Sequence, residues 1–366
     1  MKKIIGLFLV VLVSLPTMAQ YKVQKVTPEI NTSQDGIYYG LPQTVIKLEL
    51  TMERINQIPG PLASYSENFL GTSDYIKESG YIYNLLNAEV STFAEIDPEQ
   101  LYYIQFPLQK AKDEEASFQL SGIGTLLSYN ANIELHNSTA ETSTFNQTNF
   151  YYKDGERFKY LADYNRKGIV DTIVRKITID TMTINRFMFR TNWVSLSESD
   201  RANEAALKIQ DIREQRFNLL TGYQEVNYSG SIEYMDFQLT KMENEYLQLF
   251  LGKEVRTVEN HTVYVVVNKG EITRTVLNTS NGDAVKLNFN LHGNTSLLPE
   301  NPLYKDNHVF YRIPENITLD IEFKGEKHKS TNLQISQLGK LSLVSMNDSQ
   351  LYFDPQTGNL AKIVSK

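Results

Sequence analysis

Cysteine is absent from all 366 residues. Its absence excludes disulfides, thiolate zinc sites, iron–sulfur ligation, cysteine nucleophiles and a lipid-modified N-terminal cysteine. Basic charge is in deficit, with 36 Lys+Arg against 43 Asp+Glu, net −7 and a pI near 5.4. A dedicated nucleic-acid binder needs a concentrated basic face, so no nucleic-acid partner is expected. Apolar runs of membrane-spanning length are also missing, leaving no transmembrane helix in the mature chain. Histidine is sparse: His136, His261, His292, His308 and His328 fall at spacings without metal-site periodicity, and no metal or other cofactor is predicted.

What is present begins with an address. Met1-Lys2-Lys3 is a short basic segment, residues 4–15 are apolar apart from Gly6 and Ser14, and Pro16-Thr17-Met18-Ala19 ends on small residues. This is the grammar of a signal peptide with cleavage between Ala19 and Gln20, and its compactness is bacterial. Export to a periplasm, an outer membrane or the outside follows as the expectation. Cleavage removes two lysines and no acid, taking the net charge from −7 to −9.

Residues 44–56 (TVIKLELTMERIN) alternate with period two, the pattern of a half-buried strand. Pro59-Gly60-Pro61 breaks it, and residues 62–70 read as a short helix stopped by Gly71. Strands are predicted at 81–96, 101–106, 117–120 and 125–129, with Asp97-Pro98 as a separator. Residues 136–148 read as a polar loop. Strand grammar returns over 151–193, with β-branched runs at 169–174 and 177–184.

The helical signal is concentrated between Ser197 and Gly252. Ser197 with Asp200 resembles a capping box, and the first helix runs to about Leu220 with Gly222 as its stop. Its inward face carries Ala202, Ala205, Ile209, Ile212 and Leu219, with Arg216 discordant. The second helix places Ile232, Met235, Leu239, Met242, Tyr246 and Leu249 at alternating spacings of three and four. Equal lengths and a short connector predict an antiparallel hairpin. Leu207, Phe217, Leu220, Phe250 and Leu251 lie off the seam, so the pair is expected to pack on something further. Two long helices also argue against an outer-membrane barrel.

Beyond Gly252, the run 263–267 reads as a central strand buried on both sides. Short strands follow at 285–290, 309–313, 317–323, 332–335 and 341–344, and residues 354–358 turn a last hairpin between 351–353 and 360–364. The expected class is α+β, mostly β, with two β-sandwich-like lobes and an antiparallel two-helix hairpin between them. The corresponding segments are the signal peptide 1–19, a β-rich domain 20–196 with a short helix near 61–70, the hairpin 197–252, and a β-sandwich-like domain 253–366. One internal echo stands out: Tyr65-x-x-x-Phe69-Leu70-Gly71 recurs as Tyr246-x-x-x-Phe250-Leu251-Gly252.

Catalytic grammar is absent. There is no G-x-S-x-G elbow, phosphate loop, G-x-G-x-x-G or H-E-x-x-H, and no catalytic residue is assigned. Carboxylates suffice for glycosidase chemistry, but no pair is identifiable from spacing. Asp283 beside Asn281 is better explained by turn chemistry than by calcium. Tyrosine doublets at Tyr38-Tyr39, Tyr102-Tyr103 and Tyr151-Tyr152 favour packing over a ligand platform. Asp171-Thr172-Ile173 and Asp180-Thr181-Met182 resemble a bacterial O-glycosylation acceptor, which makes Thr172 and Thr181 candidate sites.

Several stretches in order carry a resemblance: 36–45 (GIYYGLPQTV), Pro59-Gly60-Pro61, the Tyr65 to Gly71 helix, 219–222 (LLTG), 246–252 (YLQLFLG), 311–314 (YRIP) and 353–358 (FDPQTG). Together they resemble a family of exported Bacteroides-type envelope proteins known as a domain of unknown function. The resemblance implies export and architecture, with no activity, cofactor or catalytic residue to transfer. The favoured expectation is a non-catalytic envelope protein that binds another envelope protein or a glycan. A carboxylate-based hydrolase of glycans or peptides and a purely structural surface component are the alternatives.

Overall fold

A computed structural model describes residues 20–29, 35–107, 117–131, 133, 157–179, 182–223, 231–299 and 302–365. Over these residues the chain is α+β and mostly β, with several antiparallel sheets. The N-terminal strands are β1 (Lys22–Lys25), β2 (Gly36–Ile58) and β3 (Gly80–Gln105), with helix α1 (Ser66–Leu70) between the last two. Next come β4 (Phe118–Leu120), β5 (Leu126–Tyr129), β6 (Arg166–Ile179) and β7 (Met182–Ser195). The helices α2 (Glu198–Thr221) and α3 (Ile232–Leu251) precede β8 (Lys253–Val266), β9 (Thr273–Asn278) and β10 (Ala284–Leu291). The last strands are β11 (His308–Phe323), β12 (Glu326–Ser345), β13 (Ser349–Phe353) and β14 (Leu360–Ser365).

The alternation read at 44–56 is real and extends further. Ile46, Leu48, Leu50 and Met52 share one face of β2 and are essentially inaccessible. They belong to a first sheet ordered β1-β3-β2-β8. A second sheet, β12-β11-β10-β9, presents Val285, Leu287, Phe289, Ile317, Leu319, Ile321 and Phe323 to the same core. Two amphipathic sheets facing each other are the simplest way to remove both apolar faces from water. At the other end of the long strands, Tyr39, Leu41, Tyr102, Ile104, Val309 and Val344 form a second core. A third sheet, β14-β13-β5-β4, closes it with Leu126, Tyr129, Leu351 and Phe353.

The boundaries expected at 196 and 252 therefore do not separate β-rich bodies. Strand β8, from the C-terminal segment, pairs with β2 along its length from Val45↔Val266 to Ile58↔Lys253. Strand β13 pairs with β5. Both cores draw residues from both ends of the chain. A second correction concerns residues 263–267. Among the described residues β8 borders only β2 and alternates, with Val265 and Val267 buried and Tyr264 exposed, so it is one-sided rather than central.

The helical hairpin forms as read. The Ser197 side chain accepts a hydrogen bond from the Asp200 N–H, and α2 and α3 end at Gly222 and Gly252. The hairpin lies between the β regions in sequence, while in space it docks where β2 ends and β8 begins. Leu62 N–H donates to Leu249 O at 2.8 Å, and the buried Ser66 hydroxyl donates to Phe250 O at 3.1 Å. Ala202, Ala205, Ile209 and Ile212 of α2 meet Tyr246, Leu249 and Phe250 of α3 there, with Tyr65, Phe69 and Leu70 alongside. The two copies of the sequence echo thus pack into one cluster. Of the five off-seam residues, Phe250 is fully buried in this base. Leu207, Phe217 and Leu220 stay exposed.

Candidate functional site

The polar centre of the molecule arises from two matching interruptions. In the β2–β3 pair, Gly40 faces Leu101 and Pro42 faces Ile96, so residues 97–100 bulge out of register. In the β11–β12 pair, Ile313 faces Lys340 and Glu315 faces Ile335, so residues 336–339 bulge likewise. Proline at 42, 98 and 314 withholds ladder donors at this level, and bulges tolerate that loss. Close approach completes the arrangement: a Cβ on Gly339 would collide with the Ile313 carbonyl oxygen.

Arg312 fills the space between the bulges and is 5% exposed. Its Nη2 donates to Asp97 Oδ2 at 2.6 Å and its Nη1 to Pro42 O at 2.9 Å. Asp97 Oδ1 accepts the Glu99 N–H at 2.9 Å. Nearby, Gln337 Oε1 accepts the Thr44 N–H at 2.8 Å while its Nε2 donates to Thr44 O at 3.0 Å, mimicking a strand partner. Ser336 Oγ donates to Thr357 O at 2.9 Å. The Tyr102 ring stacks between Tyr39 and Phe310, with centroids 5.4 and 4.6 Å away. Burial pushes the Tyr102 hydroxyl up to about 12, against a smaller opposing pull from Arg312. Burial likewise drives Tyr39 well above the ordinary tyrosine value, although the Phe310 backbone hydrogen bond opposes it.

Beside this network opens a cavity of about 420 Å³, whose polar wall includes Gln43, Asp97, Glu99, Lys269, Arg312 and Gln337. That volume suits a small molecule. Carboxylate hydrolysis needs an acid and a base free to exchange protons. Both oxygens of Asp97 accept hydrogen bonds from protein donors, which ties the carboxylate into the wall. Glu99 is exposed on the bulge. Among the described residues the other buried carboxylate is Glu315, which accepts from the Asn294 and Thr295 N–H groups and the Thr295 hydroxyl. Burial pushes Glu315 up, but these hydrogen bonds outweigh it and hold the carboxyl below its ordinary value.

The described histidines lie apart: His261 faces Glu259 at 3.7 Å on β8, His292 contacts Thr318, His308 contacts the Asp306 carbonyl, and His328 lies beside Phe323, while His136 lies outside the described residues. Among the described residues no three His, Asp or Glu side chains gather as a metal would require. Asp283 sits in a turn, its carbonyl accepting from the Thr279 N–H at 2.8 Å.

Of the residues singled out from sequence, Gln20 is exposed, whereas Ala19, Thr181 and the 151–152 doublet lie outside the described residues. Thr172 is exposed on β6, directly across from Phe189. The doublets split as packing predicts at Tyr38-Tyr39, with Tyr39 buried and Tyr38 half exposed, while Tyr102 and Tyr103 are both buried. Sequence reading missed the Arg312–Asp97 pair, although both residues stand beside or within noted motifs. It also missed the apolar surface of the β6–β7 ribbon.

Residues 35–281 match a family described as a domain of unknown function, DUF4831. The chain belongs to this family. No curated protein and no solved structure matches the chain. The DUF4831 match runs from the start of β2 to the turn before β10, and so includes the ribbon, the helical hairpin, Thr44 and Asp97. Arg312, Gln337 and Thr357, which complete the polar network, lie beyond the DUF4831 match.

Proposed function

We propose that this DUF4831 protein is an exported, Bacteroides-type cell-envelope component with a non-catalytic binding or assembly role toward an envelope protein or a glycan. Export is supported by the basic, apolar and small-residue segments of positions 1–19. One observation carries the non-catalytic part: among the described residues the two buried carboxylates, Asp97 and Glu315, are each consumed by protein donors. A binding role is supported by apolar side chains left exposed on the far half of the helical hairpin, including Phe217, Leu220, Tyr234 and Phe237. Among the described residues no helix is long and apolar enough to cross a membrane.

The test is fractionation of the native organism with terminal sequencing of the recovered protein. The reading expects an N-terminus at Gln20 and recovery outside the cytoplasm. A cytoplasmic chain that retains Met1 to Ala19 contradicts it. Glycan attachment at Thr181 belongs to the same proposal, and peptide mass analysis of native protein decides it; Thr172 lies across from Phe189 in the middle of an apolar ribbon face. Hydrolysis of envelope glycans or peptides by the purified protein that is lost on Glu99→Gln would contradict the non-catalytic reading and place the chemistry at the cavity.

A further inference from the structure

Strands β6 and β7 pair over their full length, from Arg166↔Ser195 to Ile179↔Met182, and among the described residues no third strand joins them. A two-stranded ribbon is marginal in water without a surface to cover. Residues directly opposite in an antiparallel pair share a face. One face therefore carries Trp193, Val170, Phe189, Thr172, Val174 and Phe187 in its middle, with no charged residue among them. These side chains are open to solvent, Phe189 at 73% and Trp193 at 69%. Arg166 and Lys176 bracket the stripe at its two ends on the same face, and both are exposed. The opposite face is mixed and charged, with Asp171 across from Arg190 and Arg175 across from Arg186.

The charge of the ribbon is opposite to that of its protein. Residues 166–195 contain Arg166, Lys167, Arg175, Lys176, Arg186 and Arg190 against Asp171 and Asp180, a net +4 in a chain of net −7. A second copy would bring one cationic ribbon onto another. An anionic surface complements it.

We propose that the β6–β7 ribbon lies flat on an anionic lipid surface. Trp193, Phe189, Phe187, Val170 and Val174 enter the boundary between headgroups and acyl chains, and Arg166 and Lys176 reach the headgroup charges at either end. Aromatic side chains favour that boundary, and each nearby cation adds attraction to the anionic headgroups. Both ribbon edges keep backbone groups that need partners, so the strands stay at headgroup depth and only side chains insert. The inference stands apart from the export reading, because it concerns the surface itself.

Trp193 is the only tryptophan in the chain, so its fluorescence reports this face alone. The experiment mixes full-length protein lacking residues 1–19 with vesicles of phosphatidylcholine alone or with phosphatidylglycerol added. Phosphatidylglycerol vesicles are expected to shift Trp193 emission to the blue and to co-sediment the protein, with binding weakened at high salt. Phosphatidylcholine alone binds at least about tenfold more weakly. The variant Phe187→Ser with Phe189→Ser loses about tenfold or more in binding while thermal unfolding stays unchanged. No emission shift and no co-sedimentation with phosphatidylglycerol vesicles overturns the proposal. So does an emission shift that needs only higher protein concentration, which identifies a second copy as the occupant.

Discussion

Asp97 and Arg312 meet at 2.6 Å across 215 positions of chain, both nearly inaccessible to water. Removing one partner strands the other charge in a poorly solvated place, which costs about 3–5 kcal/mol. Arg312→Leu and Asp97→Asn are each expected to lower stability by about that amount in urea unfolding. The double variant should lose clearly less than the sum, because neither charge is then stranded. Glu315 makes a pH-dependent contribution. Its carboxyl is held below the ordinary 4.5 in the folded chain, so its stabilisation is complete above that value and is lost as pH falls through the lower, folded value. Glu315→Gln should cost about 1–3 kcal/mol at neutral pH and flatten the acid limb of a stability-versus-pH curve. Neither residue could be assigned from sequence. Asp97-Pro98 has the grammar of a strand break, and only the long-range pairing turns that break into a bulge whose aspartate faces inward.

At the scale of elements, local signals were legible and long-range ones were not. The period-two run at 44–56 and the three-four spacing of α3 each depend on neighbours in the chain, and both are present in the structure. Arg216, discordant on the inward face of α2, is explained by the other helix: its Nε donates to Asp236 at 2.6 Å, and Glu243 lies 3.7 Å from its Nη1. That pair is partly exposed and worth about 0–1 kcal/mol, so Arg216→Leu should be nearly neutral in thermal unfolding. Leu249→Ala, in the packed base of the hairpin, should cost about 2–5 kcal/mol. The strands differ from expectation in length. Segments 309–313 and 317–323 are one strand, β11, because the β12 bulge accommodates Pro314 rather than ending the pairing. Gly339→Ala should therefore destabilise by about 1–3 kcal/mol, read by denaturant midpoint, since the added Cβ would meet the Ile313 carbonyl. The apolar run 263–267 misled for a similar reason, as composition alone does not reveal how many neighbours a strand has.

At the scale of the whole molecule, the strands weave the two ends of the chain into shared cores. The first sheet takes β8 from beyond the helices, and the third takes β5 from before them. The polar network joins Pro42, Thr44 and Asp97 to Arg312, Gln337 and Thr357. Several motifs that are separate in sequence, at 36–45, 311–314 and 353–358, converge there. Hydrogen exchange on residues 253–366 expressed alone tests this most directly. Without β2 and β3 to face, β10 and β11 should exchange rapidly and the fragment should unfold without a cooperative transition. Native-like protection of β10, β11 and β12 in that fragment would contradict the account and restore an independent C-terminal domain.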